Sequence, residues 1–305
     1  MYNVMDRKWL YFLISGILII PGTISLILWG LRPSIDFTGG TLMEVQSSKF
    51  IPIKSGQSSG DDIKKILTDE KIELSSMTQS GEESLLLRLK HLEKEQHDKL
   101  LEELKKKFED VNEIRYEAVG PSVGRETTEN AIKGVVIASL AIIIYIGLAF
   151  REIPKPYSSF KFGICAVAAL IHDVLLVIGI FSLFGHFWKV EIDSLFITAL
   201  LTVMGFSVHD TIVVFDRIRE NLRKMPGRSF KDVVNESIVQ TLARSLSTSL
   251  TVIFTLVALL LFGGETIRWF IVALLIGIIS GTYSSIFNAA PLLVVWENFG
   301  NKRKV

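Results

Sequence analysis

Long apolar stretches alternate with charged ones from one end of this chain to the other. A helix needs about 20 residues to cross a bilayer, and six stretches meet that length: 9–31, 131–150, 160–184, 195–220, 242–262 and 267–296. Arg7 and Lys8 precede the first, which ends LWGLRP with no small-residue cleavage site. It therefore reads as an uncleaved spanning helix, with Pro21-Gly22 as a tolerated kink. Between the first two runs the pattern changes period. Residues 41–46 suit a strand, and 49–60, with Pro52 and Gly56, a loop. Ile63, Ile66 and Leu67 place a helix over 61–71. Residues 72–78 and 84–89 flank a Gln-Ser-Gly-Glu turn and read as a hairpin. Leu100, Leu101, Leu104 and Phe108 mark an amphipathic helix over 92–108, and 111–119 alternates as a strand.

That order, β-α-β-β-α-β, predicts a ferredoxin-like α+β domain. The whole reads as a membrane all-α protein of six transmembrane helices carrying one extracytoplasmic α+β domain. Its expected divisions are 1–31, 32–128, 129–296 and a tail at 297–305. Gly120-Pro-Ser-Val-Gly124 breaks the chain before the second span. Phe230, Val233, Val234 and Ile238 suit a separate helix at the cytoplasmic surface, although a purely topogenic basic loop explains 216–241 equally well.

Charge settles the orientation. Arg7, Lys8, Arg151, Lys155, Lys161 and the Arg and Lys residues of 217–231 and 302–304 fall on one side of the membrane. Among the short connections of the other side stand only Lys189 and Arg268. The positive-inside rule then makes both termini cytoplasmic and puts the 32–128 domain across the membrane. Composition adds exclusions. A net charge of +1 offers no basic surplus for nucleic acid, and the single cysteine, Cys165, allows no intrachain disulfide. No phosphate loop, nucleophile elbow or zinc pattern is present. The expectation is a non-enzyme with no metal and no cofactor, drawing energy from elsewhere. Moving one charge across 100 mV supplies about 2.3 kcal/mol.

The candidate chemistry is a carboxylate within the fourth run. Asp210 costs at least ~2.5 kcal/mol to insert, so it must be neutral, paired or wetted. One reading is that it snorkels or locks two helices; the other is that it carries protons. Arg244, near the start of the next antiparallel span, matches it in depth, so an ion pair is feasible. Pairing favours the ionised form and dry burial the neutral one, which suits a proton-driven switch. Arg244, Thr248, Thr251 and Thr255 share one helix face, a polar stripe expected to avoid lipid. His209 beside Asp210, and the His172-Asp173 pair that repeats this dipeptide in span three, read as a secondary relay or as local hydrogen-bonded pairs. In span six, Gly277, Gly281, Ser284 and Asn288 form a small-residue stripe suited to close packing.

Four segments in order, SIDFTGGT at 34–41, VGPSVG at 119–124, GFSVHDTIVVFDRIREN at 205–221 and ESIVQTLARSLSTSLT at 236–251, resemble the SecF family of bacterial protein-export subunits. The resemblance covers nearly the whole chain. It implies a partner, SecD, with which such chains form a twelve-span assembly of the RND type in the bacterial inner membrane. It also implies association with the SecYEG channel and use of the proton gradient to help draw preproteins through it. The family's functional carboxylate falls on Asp210 and its arginine on Arg244; the pattern departs at His209. A structural scaffold holding SecD to the channel is the alternative, and an RND-type small-molecule exporter half a weaker one.

Overall fold

The computed structural model describes residues 3–50, 59–79, 83–154 and 156–302. The expected loop around Pro52 and Gly56, the tip of the hairpin turn, Lys155 and the basic tail at Arg303 and Lys304 lie outside them. The elements are α1 (Lys8–Trp29), a short α2 (Ile35–Thr38), β1 (Gly40–Gln46), α3 (Ser59–Asp69), β2 (Leu74–Gln79), β3 (Ser84–Leu89), α4 (Lys94–Phe108) and β4 (Asn112–Val119). Then follow α5 (Pro121–Ala149), α6 (Ser159–Trp188), α7 (Ser194–Lys224), α8 (Phe230–Phe262), α9 (Arg268–Ser284), a π-helical turn (Ser285–Ala289) and α10 (Ala290–Lys302). Six helical segments are long and apolar enough to cross a membrane, the sixth combining α9, the π turn and α10. The chain divides into two compact units, Pro33–Ile132 and the remainder.

The Pro33–Ile132 unit is a four-stranded antiparallel sheet in the order β2-β3-β1-β4, with α3 and α4 packed on it. This is the ferredoxin-like topology. Alternation along the central strands sends Met43, Val45, Leu85, Leu87 and Leu89 to one face, where they meet Ile63 and Leu67 of α3 and Leu100, Leu104 and Phe108 of α4. A capping box between Glu93 and Gln96 starts α4. The paired glycines before β1 answer to geometry. Gly39 and Gly40 have φ of 70° and 128°, and a Cβ on Gly124 would stand 2.6 Å from the Gly39 nitrogen. The glycine-proline segment at 120–124 is thus a helix start with Pro121 at its first position, a place that suits proline.

In the other unit, α6, α7 and α9 form the centre. α1 packs on α6, and α8 packs on α7 and α9. α5 contributes mainly its final turns, through Ile142 and Ile146. Pro21 lies inside a continuous α1, and Gly22 beside it is a crossing point, where a Cβ would come within 2.9 Å of the Gly179 backbone on α6. One expectation is corrected: the surface helix and the fifth span are one continuous helix of 33 residues, α8. Its start is set by Ser229, whose hydroxyl accepts from the Asp232 N–H. Val233 of its first turns is buried, and Val234 and Ile238 join the same core as the spans, so nothing favours a break.

Candidate functional site

Close packing brings α9 onto α7. A Cβ on Gly277 would lie 2.1 Å from Val203, and one on Gly281 would lie 3.2 Å from the Ser207 backbone. Only glycine lets the two helices approach so far, so the small-residue stripe of span six does serve packing. At this seam α7 presents Asp210, with 8% of its surface exposed. Its carboxylate is flanked by the Ser249 hydroxyl of α8 and the Thr282 hydroxyl of α9, which stand 2.6 Å apart. One turn before Ser249, the Ser245 hydroxyl is buried and has no partner among the described residues.

Arg244 is not at this seam. It is exposed, and among the described residues no ion pair joins it to Asp210. The cause is both offset and azimuth: Ser249, which lies beside Asp210, is five residues past Arg244, about 7.5 Å further along the axis and about 140° around it. The face of Thr248, Thr251 and Thr255 is likewise exposed on this chain. Each of these hydroxyls donates to a backbone carbonyl of its own helix, Thr248 to Arg244, Thr251 to Thr248 and Thr255 to Thr251, at 2.8–3.0 Å. Such back-bonding satisfies the hydroxyls without a neighbour. It is Arg244 that calls for a partner. His209 also points outward.

A second buried carboxylate sits in the middle of α6. Asp173 is fully buried. Its Oδ2 accepts from Ser207 of α7 and Ser284 of α9, both at 2.6 Å, and its Oδ1 from Ser280 of α9 at 2.7 Å. His172 Nδ1 is 3.0 Å from the same Oδ1. Its Nε2 is 3.0 Å from Asn288 Nδ2, which also donates to Ser15 of α1 at 2.7 Å. Next to this cluster, the Thr211 and Ser285 hydroxyls join at 2.8 Å. The His172-Asp173 pair is therefore the hub of a network through four helical segments. Ser207, Ser249, Ser280 and Thr282 escaped the sequence reading, because isolated hydroxyls in apolar helices carry little signal. The only clue was that Ser284 and Asn288 extended the glycine stripe.

At the end of this unit where the α5–α6 and α7–α8 connections lie, basic side chains bind the structure together. Lys161 pairs with Glu297 at 2.7 Å, Arg217 with Glu220 at 2.6 Å, and Arg223 donates to the Glu152 carbonyl at 3.2 Å. Asn235 receives the backbone N–H groups of Val4 and Met5 at 2.8 and 3.3 Å, fixing the N-terminal turn to α8.

The family described as "Protein export membrane protein SecD/SecF, C-terminal" matches residues 99–299, and the "SecD/SecF GG Motif" matches residues 25–49, which hold Gly39 and Gly40. The chain belongs to the SecD/SecF family. The protein translocase subunit SecF of Thermobaculum terrenum is 47% identical, over 98% of this chain and 95% of that protein. SecF of Anaerolinea thermophila is 44% identical, with the same coverage. A crystal structure of SecDF, a translocon-associated membrane protein from Thermus thermophilus, superposes with a TM-score of 0.81 at 31% identity. The match covers 97% of this chain and 39% of that one. The SecDF subunit of Bacillus subtilis is 32% identical, over 97% of this chain and 38% of that protein. A SecF-type chain thus recurs as one part of longer SecDF chains. Membership places this multi-pass membrane protein in protein export, alongside SecD.

Proposed function

We propose that this SecF-type subunit, together with SecD, uses the proton motive force to assist preprotein translocation through the SecYEG channel. It would do so in the bacterial inner membrane, with both termini cytoplasmic and the Pro33–Ile132 unit outside. It works without an enzymatic step and with no cofactor beyond the proton gradient. The observation that carries the proposal is Asp210: a buried carboxylate in an apolar helix, flanked by two hydroxyls and, among the described residues, joined by no ion pair to a lysine or arginine. Ionised, it bears a desolvation cost that hydroxyl partners only partly offset; taking a proton removes that cost. Arg244 stands on the same side of the bundle seam but faces outward, where a partner's helices would meet it. In this reading SecD covers the Arg244 face, and its approach alters the field at Asp210.

A second reading, a scaffold that holds SecD to the channel, is favoured by one observation. Asp173 ties α6, α7 and α9 together with every carboxylate oxygen bonded, which is the behaviour of a lock. Asp210→Asn separates the two. If Asp210 carries protons, the variant still recovers SecD from membranes while gradient-dependent stimulation of export is lost. If it only fastens helices, recovery of SecD falls and export falls with it in proportion.

A further inference from the structure

We propose that His172 and Asp173 form a second proton-binding site, entered by water through a cleft beside α1, and that the Asn288 carboxamide reverses when the site fills. The proposal stands whether or not Asp210 carries protons.

The argument begins with donors and acceptors. His172 Nε2 faces the Nδ2 of Asn288 at 3.0 Å. A carboxamide NH2 only donates, so Nε2 accepts and the ring is neutral. Its single proton is then on Nδ1, pointed at Asp173 Oδ1 3.0 Å away. With three serine hydroxyls also donating to it, Asp173 is an ionised carboxylate with its acceptor sites filled. The cluster as a whole then carries one negative charge in the middle of a membrane helix.

Among the described residues no lysine or arginine pairs with that charge. On α9, Tyr283 lies beside Ser15 of the cluster, and its hydroxyl donates to the Tyr11 carbonyl of α1 at 2.8 Å. On α7, Asp210 lies one turn beyond Ser207 and is itself acidic. Lys161 on α6 is eleven residues before His172, roughly 16 Å along the helix at ~1.5 Å per residue, and is already held by Glu297 of α10. An unbalanced charge in low dielectric is expensive. One proton on Nε2 turns the site into an imidazolium–carboxylate pair with no net charge.

The neighbouring groups are built to accept that proton. A protonated Nε2 needs an acceptor, and Asn288 supplies one by turning its carboxamide half over, so that Oδ1 takes the place of Nδ2. Ser15 permits either orientation, because its hydroxyl stands 3.0 Å from Oδ1 and 2.7 Å from Nδ2 and can donate to one or accept from the other. Asn288 lies in the π-helical turn, a type of irregularity frequent at functional positions. Beside the ring lies a cleft of about 190 Å³ bounded by residues that include Phe12, Ser15, Ala168, His172, Asn288 and Leu292. That is room for several waters, and Ser15, His172 and Asn288 are the polar side chains in its lining. The step balances: a hydronium ion in the cleft gives up a proton, its O–H bond breaking with the electron pair left on oxygen as water, and the Nε2 lone pair forms the new N–H bond.

The test uses the full chain in nanodiscs with ¹⁵N-histidine, the His172 signals being assigned by their loss in His172→Gln. In alkaline buffer the ring is expected neutral with its proton on Nδ1, and on acidification it gains the second proton on Nε2. In Asp173→Asn that gain is lost over the same acidification. Asn288→Asp, close to the native side chain in size, presents a permanent acceptor and should hold the doubly protonated ring even in alkaline buffer. Water-edited spectra should show transfer from water to the ring. A ring that stays neutral throughout in the native chain, an unchanged response in both Asp173→Asn and Asn288→Asp, or absence of water transfer would each overturn the proposal. If Asp173→Asn does not fold, Asn288→Asp and the native titration decide alone.

Discussion

Gly277→Ala tests the seam on which Asp210 depends. The added methyl would stand 2.1, 2.6 and 2.9 Å from three atoms of Val203, a fully buried side chain. Overpacking of this kind costs about 1–3 kcal/mol, and three simultaneous clashes put this case near the upper end, ~3 kcal/mol. Val203→Ala alone removes two methyl groups and leaves a small void, for about 2 kcal/mol at ~0.8 kcal/mol per buried carbon plus a cavity term. If the helices meet as described, the two changes compensate, because the new methyl enters the space the old ones left. The double variant should then cost ~2 kcal/mol or less, against a sum of ~5, a coupling of about 3 kcal/mol. The assay is the apparent thermal midpoint of the purified full chain in detergent, where 1 kcal/mol shifts a large domain by about 2–4 °C. Gly277→Ala should lower it by roughly 6–12 °C, and adding Val203→Ala should recover at least about 2–4 °C of that loss instead of deepening it. Additive losses, within ~0.5 kcal/mol, would refute the close approach of α7 and α9. The placement of Asp210 beside Thr282 would fall with it.

Two further predictions concern other parts of the molecule. His97 on α4 reaches Asp98 at 3.0 Å and Glu113 of β4 at 2.9 Å; burial opposes its charge, but the hydrogen bonds and charges of Glu113 and Asp98 prevail and hold it above the ordinary histidine value. A raised value means that this pair stabilises the domain fully below the unfolded value, ~6.5, and that the contribution is lost as pH rises through the folded value. Hydrogen exchange in the full chain, corrected for intrinsic rates, should therefore show β4 better protected than in His97→Gln in mild acid, with the difference shrinking in mild alkali; a pH-independent difference would contradict it. Arg244→Ala should leave the chain's own thermal midpoint nearly unchanged, since the side chain is exposed and joined to no acid among the described residues, while reducing co-purification of SecD; a large loss of midpoint with SecD recovery intact would contradict the outward assignment.

Much of this architecture was readable from period alone. The six spans stand out because apolar runs of their length have few other uses, and the two amphipathic helices and four strands of the Pro33–Ile132 unit follow from where Leu100, Leu104, Met43 and Val45 fall. The continuity of α8 was not readable: Lys231, Asp232 and Glu236 look like an interfacial segment, and only tertiary burial of Val234 and Ile238 shows that they extend a span. Counting residues places Asp210 and Arg244 near one level, but the α8 residue beside Asp210 is Ser249, five positions further on. Rotation about the helix axis is set by which face packs, and here Ser245 and Ser249 face inward instead of Arg244. The hub at Asp173 was half visible as a His-Asp pair. Its serine donors were not, since a serine in a membrane helix bonds its own backbone as readily as a distant acid.

The account rests most heavily on Asp210 as a group that takes up and releases protons. The direct measurement is proton flux in liposomes carrying the full chain together with SecD, under an imposed pH gradient and read by an entrapped fluorescent indicator. The native pair should pass protons in an Asp210-dependent way, and Asp210→Asn, inserted and assembled to the same extent, should bring the flux down to that of protein-free vesicles. Undiminished flux through the assembled Asp210→Asn pair would contradict the account.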